Sequence, residues 1–387
     1  MKKKIAILGS TGSIGKTLIK IIQKDKKNFQ IILLAAEKNY KDLLNQAKLL
    51  NVKNLIITNQ RSFQILKKIN HNKKYKIFND FKSINKIFDK KIDYTMSSIS
   101  GLQGLEPTLK MIKFSKKIAV ANKESIICGW SLIEKALKKY KTEFIPVDSE
   151  HFSIWSLINT TQKNIIDSVY ITASGGPFLN WPNHKIKNVD PKKALKHPNW
   201  SMGKKISIDS ATMMNKVFEV IETQRIFGLP KSKIKILIHE KSYVHAIVQF
   251  KNGLKKILAH DTNMIIPIFN TLYDNNQKNL KSKNLNIENL NNLNFKLIDK
   301  KKFPLTNIIN VVPEKNSLFE TVIVSANDEL VNLYLNKKIS FMGFQKFLQN
   351  FIKLKEFTKL KNKKPKNISE IYDLNGYVRL KIKKLCI

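Results

Sequence analysis

Cysteine, arginine and long apolar runs are scarce in this sequence, and each scarcity excludes a class of protein. The two cysteines, Cys128 and Cys386, are too few for a disulfide framework and too far apart for a zinc site. No apolar run approaches the ~18 residues of a membrane span. The run behind the basic N-terminus covers residues 5–8, whereas a signal peptide needs ~7–15 apolar residues there. We therefore expect a cytoplasmic protein with no membrane partner.

The scarcity of arginine changes the meaning of the charge. The chain has 70 basic and 29 acidic residues and a formal net charge of +41, which by itself favours nucleic-acid binding. Yet Arg61, Arg225 and Arg379 are its only arginines, and arginine is preferred for bidentate recognition of bases and phosphates. A coding bias toward lysine, asparagine and isoleucine explains the charge equally well. We expect no dedicated nucleic-acid partner and keep a nucleic-acid-binding protein as an alternative.

The strand and helix patterns divide the 387 residues into four parts. Residues 1–147 alternate strands and helices, which predicts a parallel sheet covered by helices on both faces. Residues 148–273 carry loops rich in glycine, proline and tryptophan, and a helix at 210–227. An Asn/Lys-rich connecting segment covers 274–307, and the patterns of 308–387 are helical. The predicted fold class is α/β, with a Rossmann-like N-terminal domain, a central α+β domain and a helical C-terminal domain. The predicted strands are 5–8, 30–35, 54–58, 94–98, 117–121, 143–147, 234–239, 243–250 and 254–260.

Residues 9–17, GSTGSIGKT, follow the first predicted strand and open a helical pattern. The end of this stretch matches a triphosphate-binding P-loop, but Gly9 lies one residue too early for that motif. The spacing of Gly9, Gly12 and Gly15 is closer to a dinucleotide-binding turn, where glycines permit the tight turn, the approach of the pyrophosphate and helix packing. The pattern favours a dinucleotide, and a purely structural glycine turn is the remaining alternative.

The end of the second predicted strand, AAEKN, gives a contradictory indication of the cofactor. An acidic residue there binds the ribose 2′-hydroxyl of NAD, whereas a small residue followed by basic ones admits the 2′-phosphate of NADP. Glu37, twenty-two residues after Gly15, predicts NAD, while Lys38 and Asn39 predict NADP. The residues alone leave both cofactors open.

The stretch VDSEH (147–151) suggests a metal site at the end of a strand. Asp148 and Glu150 are two residues apart, so an extended chain points both carboxylates to the same side. A divalent cation with a preference for oxygen ligands, Mg²⁺ or Mn²⁺, would offset their repulsion. A solvated loop is the alternative.

A predicted helix further along offers a third carboxylate. Ser210 has the character of an N-cap, and Asn215, Lys216 and Glu219 then lie at i, i+1 and i+4, where all three can face one cleft. These residue types usually form an ordinary helix surface. They form a site if Glu219 joins the other carboxylates on a metal while the polar side chains hold a phosphate.

Two loops complete the candidate site. The turn ITASGGPF (171–178) makes Ser174 available to the same anion. The loop HPNWSMG (197–203) carries Trp200 and Met202 where a plain turn would be polar. This composition predicts a mobile lid that covers substrate and excludes water, and a Trp200 packed in the core is the alternative.

Together, GSTGSIG, ANKES, PVDSEH, SGGPF, HPNWSMGKKIS, DSATMMNK and the helical tail resemble, in this order and over essentially the whole chain, the 1-deoxy-D-xylulose 5-phosphate reductoisomerase family. The resemblance implies an enzyme with NADPH and Mg²⁺ or Mn²⁺ as cofactors and a small phosphorylated sugar as substrate. Its reaction would be the metal-dependent rearrangement and NADPH reduction of 1-deoxy-D-xylulose 5-phosphate to 2-C-methyl-D-erythritol 4-phosphate, on the non-mevalonate route to isoprenoid precursors. It also implies a homodimer, with residues 1–147 binding NADPH and 148–273 serving catalysis and dimerisation.

The resemblance assigns roles residue by residue. The implied catalytic residues are Lys123, Asp148, Glu150, His197 and Glu219. The implied metal ligands are Asp148, Glu150 and Glu219. The implied cofactor-binding residues are Thr11, Gly12, Ser13, Ile14, Lys38, Asn39, Asn122, Glu124 and Gly203. Gly9 and Glu37 join this set from their positions in the glycine turn and at the end of the second predicted strand. The implied substrate-binding residues are Lys123, Ser149, Glu150, Ser174, His197, Ser210, Asn215, Lys216 and Glu219, with Trp200 and Met202 in the flap.

Glu37 departs from the family pattern, which usually has a small residue, often glycine, at this position. A carboxylate near a 2′-phosphate repels it unless Lys38 compensates or Glu37 turns to solvent. We expect NADPH to be used with weaker discrimination against NADH than the family norm. The competing enzyme is another Rossmann oxidoreductase acting on a phosphorylated or acidic substrate, which would need no divalent metal. A decayed, inactive homologue is a further alternative, although every matched metal and phosphate residue is present.

Overall fold

The computed structural model describes residues 1–158, 165–200, 202–273 and 278–386, and the chain forms two compact units. The first unit comprises Met1–Ser125, Leu132–Phe152 and Met264–Lys281. The second unit comprises Ile126–Ser131, Ser153–Asn263 and Ser282–Ile387. The four-part division expected from the sequence stays a prediction.

The first unit is built on a parallel sheet. Its strands are β1 (Lys3–Leu8), β2 (Phe29–Ala36), β3 (Asn54–Ile57), β4 (Lys76–Phe78), β5 (Ile92–Ser97), β6 (Ser115–Val120) and β7 (Glu143–Pro146). They pair in the order β4-β3-β2-β1-β5-β6-β7, and every pair is parallel. In β1 the last four residues are all fully buried, as expected for a strand covered on both faces. The predicted Rossmann-like parallel sheet is confirmed.

The helices alternate with these strands and continue through the second unit. Those up to residue 158 are α1 (Ser13–Gln23), α2 (Tyr40–Leu50), α3 (Gln60–Ile69), α4 (Ile84–Ile87), α5 (Leu105–Ile112), α6 (Lys123–Tyr140) and α7 (Ser149–Ile158). The next six are α8 (Asn183–Ile186), α9 (Pro191–Ala194), α10 (Lys204–Ala211), α11 (Met214–Phe227), α12 (Ile265–Leu272) and α13 (Ile287–Asn291). The last five are α14 (Ile308–Val311), α15 (Leu318–Leu335), α16 (Phe341–Phe351), α17 (Lys355–Thr358) and α18 (Ile368–Cys386). The helical C-terminal region is confirmed. Among the described helices, none combines the length and apolar composition that a membrane crossing requires.

The strand order creates a crevice at the carboxyl end of β1. The chain leaves β1 for β2 on one side of it and later returns to β5 on its other side. Ligands of open α/β sheets bind where the order reverses in this way, beyond the carboxyl ends of the strands. Helix α12 also belongs to this unit, because it packs on α1 and Thr271 hydrogen-bonds Tyr94 of β5 at 2.9 Å. The glycine turn after β1 therefore lies at the expected binding edge.

The second unit contains a mixed five-stranded sheet. Its strands are β8 (Ile166–Ala173), β9 (Ile234–Ile238), β10 (Val244–Phe250), β11 (Lys255–Ala259) and β12 (Lys296–Leu297). They pair in the order β11-β10-β8-β9-β12; β8 and β9 are parallel and the other pairs antiparallel. Buried Val220 and Phe227 of α11 share one core cluster with strand residues such as Ile171 and Val248. Because α11 packs against this sheet, the side chains on the other faces of α11 have defined positions.

A buried ion pair joins α11 to the N-terminus of α15. The Arg225 guanidinium lies 2.5 Å from the Glu320 carboxylate, and their side chains are 3% and 0% exposed. Arg225 also donates to the carbonyl oxygens of Pro313 and Glu314. Glu320 closes a capping box with Ser317 at the start of α15. One guanidinium thus satisfies acceptors on the approach to α15 and in its first turn.

The predicted helix at 210–227 is two helices, and Ser210 as its N-cap is wrong. Ser210 lies inside α10, whose N-cap residue is Gly203. The chain breaks after α10 because Met213 adopts a left-handed conformation with φ +62°. The hydroxyl of Thr212 accepts the Met214 N–H at 3.4 Å, so it partly fills the role assigned to Ser210.

The extended geometry predicted for Asp148 and Glu150 is also wrong. Helix α7 begins at Ser149, and the Phe152 N–H bonds the Asp148 carbonyl oxygen at 2.7 Å. Asp148 therefore precedes the helix and Glu150 lies in its first turn. Acidic groups are favourable there because helix N–H dipoles point toward them.

Candidate active site

The turn after β1 requires glycine at two positions. Gly9 has φ +82°, and a Cβ there would lie 2.6 Å from the carbonyl oxygen of Ser98. A Cβ on Gly15 would lie 2.5 Å from the carbonyl oxygen of Gly9. Gly12 is the N-cap residue of α1, so helix N–H groups begin directly beyond the turn. The tight turn, the close helix packing and the helix N-terminus are the three features that a dinucleotide pyrophosphate needs.

The structure does not support a triphosphate-binding P-loop, because Lys16, the lysine of that motif, forms an ion pair with a carboxylate. The Lys16 ammonium lies 2.6 Å from the Asp42 carboxylate of α2. Of the predicted pyrophosphate-binding residues, Ser13 is exposed, and Thr11 and Ile14 are half-buried around the first turn of α1. These three residues lie on the side of the turn that solvent can reach.

Glu37, Lys38 and Asn39 connect β2 to α2. The Glu37 carboxylate lies 3.2 Å from the Lys38 ammonium, and their side chains are 60% and 71% exposed. Asn39 is the N-cap residue of α2 and accepts the Asp42 N–H at 3.1 Å. The loop therefore presents one acidic and one basic side chain to solvent, while its asparagine holds the helix end.

The ANKES stretch begins α6. Asn122 is the N-cap residue and accepts the Ser125 N–H, while its amide donates to the carbonyl oxygens of Ile99 and, at 2.8 Å, Gly101. Glu124 follows in the first turn and is half-buried. Asn122 thus fixes the loop beyond β5 to the start of α6, at the carboxyl edge of the sheet.

Asp148 is held in the ionised form by two basic neighbours. The Lys123 ammonium lies 2.5 Å from one of its oxygens, and Nδ1 of fully buried His151 lies 3.0 Å from the other. Burial raises the pKa of Asp148, but the Lys123 charge and the hydrogen bond from His151 outweigh it and hold the pKa well below its usual range. The role of His151 was missed from the sequence, although a histidine three residues after an acidic helix start is a usable signal.

Glu219 lies on α11 with only 1% of its surface exposed. Asn215, one turn earlier, donates to one carboxylate oxygen, and the Lys216 ammonium contacts the other. The predicted i, i+1 and i+4 grouping on one side of the helix is therefore present. A buried carboxylate is stable only with such donors or a cation beside it.

Two of the three predicted metal ligands lie at the start of α7, in the first unit. Asp148 directly precedes the helix, Glu150 lies in its first turn, and the Ser149 hydroxyl donates to Oε2 of Glu150 at 2.5 Å. Neighbouring carboxylates repel one another and suit a hard divalent cation. Glu219, the third predicted ligand, is a buried carboxylate of the second unit, and a metal site shared by all three stays a prediction.

His197 occupies a defined tautomer beside Ser174. Its Nδ1 accepts the N–H groups of Asn199 and Trp200 at 3.1 and 3.0 Å, so the ring proton lies on Nε2, 3.0 Å from the Ser174 hydroxyl oxygen. Burial and the nearby Lys216 charge lower the pKa of His197 to about 4. The ring is therefore a neutral hydrogen-bond donor at physiological pH.

The predicted phosphate-binding residues share one region of the second unit. A Cβ on Gly176, which has φ +70°, would lie 2.8 Å from the carbonyl oxygen of Ser210, so the SGG turn packs on the end of α10. Ser174 of that turn contacts His197, whose pKa responds to Lys216. A cation, a neutral imidazole and two hydroxyls in one region form a suitable anion site.

The predicted flap contacts the second sheet through its indole. Trp200 is half-buried, and its ring centroid lies 6.1 Å from that of His245 at an interplanar angle of 69°. Met202 is half-buried and Gly203 is exposed at the start of α10. Residue 201 lies outside the described residues. The lid function of this loop stays a prediction.

Three family models match the chain. They are the 1-deoxy-D-xylulose 5-phosphate reductoisomerase model over residues 5–129, its C-terminal domain model over 144–227, and the DXP reductoisomerase C-terminal domain model over 260–381. The chain is 60% identical over 387 residues to the 1-deoxy-D-xylulose 5-phosphate reductoisomerase of Pelagibacter ubique (strain HTCC1062), with 100% of both chains covered. It is 38% identical over 346 residues to that of Wolbachia pipientis wMel, covering 88% of this chain and 87% of the relative.

Solved structures show the same similarity. The reductoisomerase from Zymomonas mobilis in complex with NADPH superposes with a TM-score of 0.89 at 28% identity, covering 100% of this chain and 99% of that one. A DOX-P reductoisomerase in complex with NADPH, fosmidomycin and magnesium gives a TM-score of 0.89 at 28% identity, covering 99% and 98%.

Proposed function

Because the chain belongs to the 1-deoxy-D-xylulose 5-phosphate reductoisomerase family, we propose that Asp148, Glu150 and Glu219 hold the divalent cation of its reaction. The protein is an enzyme that converts 1-deoxy-D-xylulose 5-phosphate to 2-C-methyl-D-erythritol 4-phosphate with a divalent metal and NADPH. The observation that carries the metal assignment is the acidic pair at the start of α7, where Lys123 and His151 contact the Asp148 carboxylate and the Ser149 hydroxyl donates to Glu150. Oxygen ligands of this kind suit Mg²⁺, and we propose Mn²⁺ as a second usable ion.

NADPH is assigned to the glycine turn after β1 and to the edge of the first sheet. The support is the absence of space for a Cβ at Gly9 and Gly15, together with the helix N-terminus at Gly12. The proposed cofactor-binding residues are Gly9, Thr11, Gly12, Ser13, Ile14, Glu37, Lys38, Asn39, Asn122, Glu124 and Gly203.

The substrate phosphate is assigned to Ser174, Ser210, Asn215 and Lys216, with His197 beside them. The neutral His197 ring donates from Nε2 and adds no charge, so Lys216 supplies the positive charge. Ser149 and Lys123 are assigned to the remaining polar groups of the substrate. The phosphate lies away from the reacting carbons, so its binding energy can drive closure of the flap that carries Trp200 and Met202.

The carboxylates and their neighbours define what the protein contributes to the chemistry. A bound divalent cation polarises the substrate carbonyl and lowers the pKa of the adjacent hydroxyl, and NADPH supplies the hydride. Asp148 remains ionised across the physiological range because Lys123 and His151 stabilise its charge. Asn215 and Lys216 orient Glu219 from its own helix. The side chains therefore position ligands and hold charge, while the flap excludes water.

The cellular setting is part of the same proposal. We place the enzyme in the cytoplasm as a homodimer, with residues 148–273 contributing to dimerisation. The resemblance to the family supports these assignments, and sedimentation of the purified chain measures the dimer directly.

The test follows absorbance at 340 nm with purified protein, 1-deoxy-D-xylulose 5-phosphate, NADPH and either Mg²⁺ or Mn²⁺. We expect NADPH consumption that stops in chelator and returns when metal is added. Glu150→Gln should raise the metal concentration needed for half-maximal rate at least tenfold, since it removes one of three charged ligands. Glu134→Gln is the matched control, because Glu134 pairs with Lys138 on the exposed face of α6. Metal-independent NADPH consumption would contradict the assignment.

A further inference from the structure

We propose that Glu37 is a specificity-determining residue that opens the adenosine end of the cofactor site to NADH as well as NADPH. The inference rests on the proposed cofactor site and concerns only its preference between the two nucleotides. Three observations support it: the position of Glu37, the hydrogen-bonded backbone around it and its ion pair with Lys38.

Glu37 lies immediately beyond β2, beside the turn assigned to the pyrophosphate. The N–H groups of Gly9 and Ser10 both bond the carbonyl oxygen of Ala35, at 2.9 and 2.8 Å. The glycine turn is therefore joined to the end of β2, two residues before Glu37. In dinucleotide-binding sheets an acidic residue at this point accepts a hydrogen bond from the ribose 2′-hydroxyl.

The backbone of this loop is held from a neighbouring element. The Asn59 N–H donates to the carbonyl oxygen of Glu37 at 3.0 Å, and the Ser62 hydroxyl donates to that of Lys38 at 2.8 Å. Asn59 and Ser62 belong to the start of α3. The two Cα positions are thus fixed, and only the side chains of Glu37 and Lys38 can adjust to a ligand.

The charges of the pair act in opposite directions on the two cofactors. With the carboxylate of Glu37 3.2 Å from the ammonium of Lys38, a 2′-phosphate must share Lys38 with Glu37 and lies near a second negative charge. A ribose 2′-hydroxyl instead finds a carboxylate acceptor. Lysine supplies one compact charge without the bidentate geometry by which arginine selects a phosphate. The loop therefore weakens the 2′-phosphate contact and creates a 2′-hydroxyl contact.

The alternative is that Glu37 and Lys38 form an ordinary surface ion pair with no role in ligand binding. Such pairs are common and contribute little. Two observations favour a ligand role. Glu37 follows the end of β2, which is hydrogen-bonded to the glycine turn after β1, and its main chain is held by a hydrogen bond although its side chain is 60% exposed.

The test measures binding without catalysis. Isothermal titration of the full chain with adenosine 2′,5′-bisphosphate and with ADP reports the 2′-phosphate and the 2′-hydroxyl separately. We expect Glu37→Gln and Glu37→Gly to tighten binding of the bisphosphate roughly threefold to fivefold, as expected for removal of one exposed repulsive charge. Both variants should weaken ADP binding roughly tenfold, because a hydrogen bond to a charged acceptor is lost. Lys38→Ala should weaken only the bisphosphate.

Controls separate this inference from the function on which it rests. Glu134→Gln removes the same charge from another exposed pair of the first unit and should leave both affinities unchanged. If wild type binds both probes and the Glu37 variants keep the wild-type affinity ratio, Glu37 has no selective role and the inference is overturned alone. If wild type binds neither probe, the cofactor site itself is misassigned and both proposals fall.

Discussion

At the scale of single residues, His197 has the most closely defined chemistry. Its Nδ1 accepts two backbone N–H groups, and burial with the Lys216 charge lowers its pKa to about 4. We expect its imidazole NMR signals to stay constant between pH 5.5 and 8. The unfolded residue has the higher pKa, 6.5, so the unfolded chain binds more protons between pH 6.5 and 4. The free energy of unfolding should therefore fall as the pH drops through this window.

The variant His197→Asn tests whether His197 causes this loss of stability at low pH. An asparagine carbonyl can accept the same backbone N–H groups and does not titrate. Urea unfolding of the variant at pH 4.5 and 7 should show a smaller difference than wild type. An unchanged difference would assign the acid sensitivity to other groups.

Glycine positions give a second prediction at this scale. Gly15→Ala should destabilise the protein by about 1–3 kcal/mol, because the new Cβ would lie 2.5 Å from the carbonyl oxygen of Gly9. Gly376→Ala is the matched change, since among the described residues nothing lies within 4 Å of its Cβ and it sits inside α18. That variant should gain about 0.5–1 kcal/mol from higher helix propensity. Urea unfolding measures both, and equal effects would contradict the proposed packing of the turn.

At the scale of elements, the Arg225–Glu320 pair joins α11 to α15. Arg225→Met should lower the free energy of unfolding by about 3–5 kcal/mol, because Glu320 would remain buried without its cation. Adding Glu320→Gln should recover part of the loss, since the unpaired charge is then removed. A loss near that of the exposed-pair variant Glu134→Gln, roughly 0.5 kcal/mol or less, would show that the pair adds little.

The elements also show which parts of the fold the sequence could predict. Buried parallel strands are continuous apolar runs, so β1 and β2 were located within two residues. β4 was missed because it has three residues, none fully buried. Ser210 was assigned to a helix start because its residue type suits a cap, but α10 runs from Lys204 to Ala211 and includes it. Such a break depends on the left-handed Met213, which no residue preference indicates.

For the candidate site, too, the sequence predicted some features and missed others. Asp148, Glu150 and Glu219 could be proposed as metal ligands from residue type, spacing and family resemblance, although the extended geometry expected for the first two was wrong. His151 was missed, because its contact with Asp148 follows from the helical geometry of α7, whereas an extended chain was expected there. Sequence patterns thus identified chemical groups more reliably than the neighbours that tune them.

At the scale of the whole molecule, the net charge of +41 opposes compactness through self-repulsion. Salt screens that repulsion, with a Debye length near ~30 Å at 0.01 M and ~10 Å at 0.1 M. We expect the thermal midpoint to rise by several degrees between 10 and 200 mM NaCl. A midpoint that falls with salt would mean that local ion pairs outweigh the overall repulsion.

Arginine is nearly absent from the chain, yet one of its three arginines is buried. Arg225 reaches two carbonyl oxygens and a carboxylate with one planar group, whereas a lysine ammonium on a flexible stem cannot span that fan of acceptors. Arg225 therefore lies where the arrangement of the acceptors suits a guanidinium better than an ammonium. The connection between α11 and the start of α15 depends on the shape of this cation and not only on its charge.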